Sequence, residues 1–282
     1  MKAGSNLRTL VLEHNGPVAN VWLNRPERRN AMNQEMLEEL TQVFRQLETT
    51  YETRVVVLGG KGPTFCAGAD RKDSPGLDRM LNGTDVSARE KNWLAELGPR
   101  TMTAIEECNA ITIARVQGHA VGGGLLLAVA CDFRIAAEGT QFWFPEVELG
   151  TPLDWRGVPR LMSEIGVSHA REMVLASARV DAHRAETMGL VNRAVPMEQL
   201  DSTVENWVSR ILGRQELALL LTKKQFRAYA ARALMGDASQ FDADLLINSL
   251  GSDTAKESFG VHQNEAKGDA KASVQKKRST ES

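Results

Sequence analysis

Cysteine is scarce. The 282 residues contain three, Cys66, Cys108 and Cys131, an odd number without a CxxC spacing, which argues against a disulfide framework and a structural zinc. Charge of one sign is not in excess either. Lys and Arg number 34 against 36 Asp and Glu, a net charge of −2, so composition gives no electrostatic case for nucleic acid or an anionic membrane. No apolar run approaches the ~20 residues of a spanning helix, and MKAGSNLRTL holds no apolar signal core; the expected location is cytoplasmic. The five histidines form no HExxH pattern, so no metal is expected. Residues 267–282 are poor in apolar side chains and rich in Lys and Ser, as in a disordered tail.

What is present suits an α/β protein. With 42% hydrophobic and 25% charged residues, the chain has enough apolar content for a substantial core. Strands are expected at 7–13, 18–23, 55–58, 64–70, 111–116, 132–137, 142–144 and 190–195. Helices are expected at 30–50, 93–108 and 125–131, from about 157, and at 182–188 behind Asp181 as N-cap. The polar stretch 74–92 reads as a surface loop with a little helix. From 197 the pattern is helical, at 198–212, 216–234 and 241–250, with another helix opening near Ser252-Asp253. The expected division is an α/β part at 1–196, a helical part at 197–266 and the tail.

Gly122-Gly123-Gly124 running into Leu125-Leu126-Leu127 is the most informative stretch. Glycines permit tight turns and close approach of the backbone to a ligand. The N–H groups at a helix start lack internal partners, so the junction suits a developing anion.

Four stretches, Asn24-Arg25-Pro26-Glu27-Arg28-Arg29-Asn30-Ala31, Phe65-Cys66-Ala67-Gly68-Ala69-Asp70, Val116-Gln117-Gly118-His119-Ala120-Val121-Gly122-Gly123-Gly124 and Phe144-Pro145-Glu146-Val147-Glu148-Leu149-Gly150, together resemble the crotonase, or enoyl-CoA hydratase/isomerase, family. The resemblance implies a spiral of ββα units with a helical C-terminal trimerisation part, and assembly into homotrimers or dimers of trimers. It also implies an acyl-CoA thioester substrate, with coenzyme A as part of the substrate and no separate cofactor. Two backbone N–H groups would hold the thioester oxygen, and by the motif they are those of Ala69 and Gly123. Ala67, Gly122, Leu126 and Trp143 would line the substrate site. Arg25, Arg28, Asp70 and Lys72 match the stretches that meet the CoA nucleotide and pantetheine, and guanidinium groups suit phosphate oxygens. Lys223 and Lys224 could add positive charge nearby.

Hydratases of the family use two glutamates. One matches Glu146; the other would stand at Leu126. Asp154 falls where some members carry a working aspartate, and it could equally cap the next helix or pair with Arg156. The apolar neighbours of Glu146 should raise its pKa. His119 reads as packed behind the turn, Cys66 and Cys131 as small buried residues, and Glu148 as an exposed bystander. Trp93, Trp143 and Trp155 could line an acyl pocket or belong to the core.

One carboxylate in a dry pocket fits double-bond migration, with Glu146 moving a proton from C2 to C4 of a 3-enoyl thioester in fatty-acid or related acyl-CoA metabolism. The alternatives are enoyl-CoA hydration shared by Glu146 and Asp154, a catalytically weak acyl-CoA binder, and hydrolysis through Asp154.

Overall fold

The computed structural model describes residues 7–73, 75–83, 85–233, 242–252, 254, 255 and 257. The tail expected at 267–282 and most of the helix expected from Ser252-Asp253 lie outside them. In chain order the strands are β1 (Leu10–Asn15), β2 (Val18–Leu23), β3 (Val55–Gly60), β4 (Ile111–Val116), β5 (His119–Val121), β6 (Phe133–Ala137), β7 (Gln141–Trp143), β8 (Val180–Asp181) and β9 (Arg193–Val195). The helices are α1 (Gln34–Glu48), α2 (Pro75–Asn82), α3 (Ala88–Ala95), α4 (Leu97–Glu107), α5 (Gly123–Val129), α6 (Gly157–Leu175), α7 (Ala182–Thr187), α8 (Leu200–Leu212), α9 (Glu216–Ala233) and α10 (Asp242–Ser249).

Six strands form one sheet in the order β1-β2-β3-β4-β6-β9, antiparallel between β1 and β2 and parallel elsewhere. The inner place of β3 agrees with its side-chain pattern. All six residues of β3 are buried, with Val56 and Leu58 in the main core while Val55 and Val57 face the other way. On that second face they join Ile111 and Ile113 of β4 and Leu200, Val204 and Ile211 of α8. A strand covered on both sides is apolar throughout, as parallel sheets require. A smaller sheet, β5-β7-β8, adds Ala120, Phe142 and Val180 to the main core.

Helix α1 closes the main core. Its buried residues Met36, Leu37, Leu40, Val43, Phe44 and Leu47 recur at helical spacing, and Asn33 caps it by accepting from Met36 N at 3.0 Å. Each such side chain removed from water contributes about 1.5–3 kcal/mol before its ordering cost.

Three local expectations change. The 74–92 stretch is largely helical, in α2 and α3, because Met80 and Ala95 bury themselves against Leu250. The single helix expected at 93–108 is broken near Glu96 into α3 and α4. The stretch 64–70, expected to hold a strand, forms none and joins its neighbours only through the isolated bridges Cys66–Ala120 and Met32–Ala69.

Candidate active site

Two loops are zipped side by side. Phe65 N donates to Gln117 O at 2.8 Å, Cys66 N to His119 O at 3.0 Å and Val121 N to Cys66 O at 3.1 Å. On its other edge the first loop pairs with Met32, whose N donates to Gly68 O at 2.8 Å while Asp70 N donates to Met32 O at 2.8 Å. In such a parallel bridge the residue between, Ala69, turns its own N–H away from the ladder. Gly123 opens α5, where an amide has no intrahelical acceptor. A β-carbon on Gly68 would lie 3.9 Å from Gly123 N, so the Ala69 loop and the Gly123 amide are neighbours.

Both border a cavity of about 370 Å³. Of the residues expected at the site, Ala67, Ala69, Gly122, Gly123, Leu126, Trp143, Glu146 and Asp154 line it. Leu126, 1% exposed, presents hydrocarbon where a second glutamate would stand. Burial pushes the Glu146 carboxyl up to about 7, and the neighbouring Asp154 carboxylate adds to the rise, against a backbone hydrogen bond that lowers it. Glu146 Oε2 is shut off from solvent without a hydrogen-bond partner among the described residues. Asp154 is buried on the same wall, after Leu153 and before the first turn of α6. The pocket therefore combines two amide donors, two carboxylates and an apolar lining.

Arg25, Arg28, Asp70 and Lys72 are not on this wall. Arg25 and Asp70 are buried and bound to each other, Arg25 Nη1 to Asp70 Oδ2 at 3.0 Å, with Arg25 Nη2 reaching Asp73 Oδ2 at 2.6 Å. Arg25 Nη1 also donates to Ala31 O at 2.5 Å. Burial works to raise the Asp70 carboxyl, but the Asp73 and Lys72 N–H groups and Arg25 hold it below the usual carboxylate range. Arg25 thus clamps Asp70, the residue following Ala69. Beside it, Asn30 is fully buried at φ 54°, and its Nδ2 donates to Thr64 O at 2.7 Å. Arg28 and Lys72 are exposed.

Lys223 turns inward, donating to Ala110 O at 2.7 Å and Asp132 Oδ2 at 2.6 Å, and anchors α9; Lys224 is exposed. His119 is exposed and edge-on to Trp143 instead of packed behind the turn. Glu148 is exposed, and Cys66 and Cys131 are buried thiols pushed up to about 12 by burial. Trp143 and Trp155 line the cavity, whereas Trp93 is 41% exposed. The 74–92 stretch, expected from the sequence to shape the pocket, supplies Met80 of α2 to its lining, while Leu94 of α3 and Leu246 and Leu250 at α10 were not foreseen. Their only signal was helical apolar spacing, which does not name a partner.

A family model described as enoyl-CoA hydratase/isomerase matches residues 13–269. The short-chain-enoyl-CoA hydratase of Clostridium acetobutylicum is 32% identical over 219 residues, 77% of this chain and 80% of that protein. The crotonyl-CoA hydratase of Syntrophomonas wolfei is 34% identical over 215 residues, 76% and 79% of the two. A Thermobifida fusca protein solved in complex with CoA is 30% identical, with a TM-score of 0.71 over 85% of this chain and 91% of that one.

Proposed function

We propose, from the premise that this chain belongs to the enoyl-CoA hydratase/isomerase family, that it adds water across the double bond of a 2-enoyl-CoA thioester. The observation that carries this reading is the pair Glu146 and Asp154 on one wall of the cavity that Ala69 and Gly123 also border. Asp154 takes a proton from water as its oxygen bonds to C3. The Ala69 and Gly123 N–H groups hold the enolate oxygen, a type of interaction worth about 3–4 kcal/mol per donor. Protonated Glu146, with its carboxyl near 7, delivers the proton to C2. Exchange with solvent then returns the proton from Asp154 to Glu146, so the net change is the addition of one water. The names of the similar relatives support hydration over the double-bond migration expected from the sequence.

Leu126 favours a second reading, in which Glu146 alone carries the proton from C2 to C4 in a pocket kept dry by hydrocarbon. Assays with crotonyl-CoA and a 3-enoyl-CoA separate the two. Hydration of the first is expected; migration in the second without hydration of the first overturns the main reading. Binding of both thioesters with turnover of neither would identify a catalytically weak acyl-CoA binder.

A further inference from the structure

We infer that Trp155 is a specificity-determining wall that restricts the pocket to acyl chains unbranched next to the thioester, an inference that rests on the acyl-CoA reading above. The indole packs against two bare backbones. A β-carbon on Gly98 of α4 would collide with its five-membered ring, and one on Gly123 would collide with its six-membered ring. Gly123 Cα is one bond from the amide proposed to hold the thioester oxygen, so the ring borders the space of acyl C2 and C3. The half-buried indole also lines the cavity.

The wall cannot easily swing aside. Trp155 and Arg156 take φ 59° and 56°, left-handed values that bulky residues rarely adopt and that persist only where the surroundings hold them. They are held from two helices. Arg160 Nη1 of α6 donates to Trp155 O at 2.5 Å and Arg156 O at 3.1 Å, and its Nη2 donates to Glu106 Oε2 of α4 at 2.7 Å. Gly98 stands on that same α4. A ring packed against two bare backbones and held at its own backbone rejects added bulk, where a flexible lining would yield. A merely structural tryptophan would affect all acyl groups alike when trimmed.

The test is equilibrium binding of butyryl-CoA, isobutyryl-CoA and free CoA to the full chain and to Trp155→Ala and Trp155→Phe. Both thioesters are saturated, so neither proposed reaction consumes them. The wild type should prefer butyryl over isobutyryl by about tenfold, the scale of one misplaced methyl group. Trp155→Ala should bring that ratio near one, Trp155→Phe should fall between, and affinity for free CoA should stay constant. If Trp155→Ala does not fold, Trp155→Phe alone decides by whether the ratio shifts. An unchanged ratio, or equal weakening of both thioesters, overturns the inference and leaves the acyl-CoA reading intact. Failure of the wild type to bind any CoA ester overturns both.

Discussion

Glu146 Oε1 rests against the unsubstituted Cα of Gly122, in space that any β-carbon there would take. Gly122 also holds φ 51°, which L residues rarely adopt, and its N donates to Trp143 O at 3.0 Å. One glycine thus shapes the turn that starts α5 and leaves room for the carboxylate.

Gly122→Ala should therefore displace Glu146 and strain the turn. Turnover is expected to fall by about a hundredfold, the scale of a 1 Å misplacement, with a stability loss of about 1–3 kcal/mol. Steady-state kinetics and urea unfolding on the same variant measure both.

Glu146→Gln should lower kcat on crotonyl-CoA by about 10²–10⁴-fold. Because the hydration scheme uses the protonated carboxyl, wild-type kcat/KM should decline as pH rises through about 7. A pH–rate profile that climbs through 7 instead points to Glu146 acting as a base, the second reading.

Asp154→Asn should slow hydration by about a hundredfold if Asp154 accepts the proton of water. Removing its charge also removes one cause of the raised Glu146 carboxyl, so any remaining limb near 7 should move to lower pH. A limb that stays in place would sever the electrostatic link between the two.

The same group makes stability depend on pH. Glu146 is raised from 4.5 to about 7 on folding, so the native chain keeps a proton that the unfolded chain releases. Its contribution is fully present below 4.5 and is lost as pH rises through 7. Relative to the wild type, Glu146→Gln should gain about 3 kcal/mol between pH 4.5 and pH 8, read from urea midpoints at both.

Arg25→Ala should leave Asp70 buried without its cation and cost about 3–5 kcal/mol. A direct phosphate contact would instead raise KM for the CoA ester with little change in stability. Denaturation together with kinetics distinguishes these outcomes.

Much of the site was readable because its cues are local. A glycine run entering an apolar stretch implies amide donors at a helix start wherever it is placed, and Pro145-Glu146 amid aromatic residues implies a raised carboxyl. The strands of the main sheet were legible for the same reason, since Val55–Leu58 needs two covered faces to be apolar throughout. The Arg25 ion pairs were not legible, because three arginines in a turn look alike in sequence. Only the fold brings Asp70 and Asp73, 45 and 48 residues away, within reach of one guanidinium.

By itself the sequence determined the chemical parts: two backbone donors, Glu146, Asp154, and hydrocarbon at Leu126. Tertiary structure decided which parts meet. It put Asp154 near enough to raise Glu146, paired Arg25 with Asp70, brought α2, α3 and α10 to the pocket, and set Trp155 against Gly98 and Gly123. The physical reason is that backbone conformation and apolar spacing act over a few residues, whereas charge pairing, burial and steric walls depend on groups that only chain packing brings together.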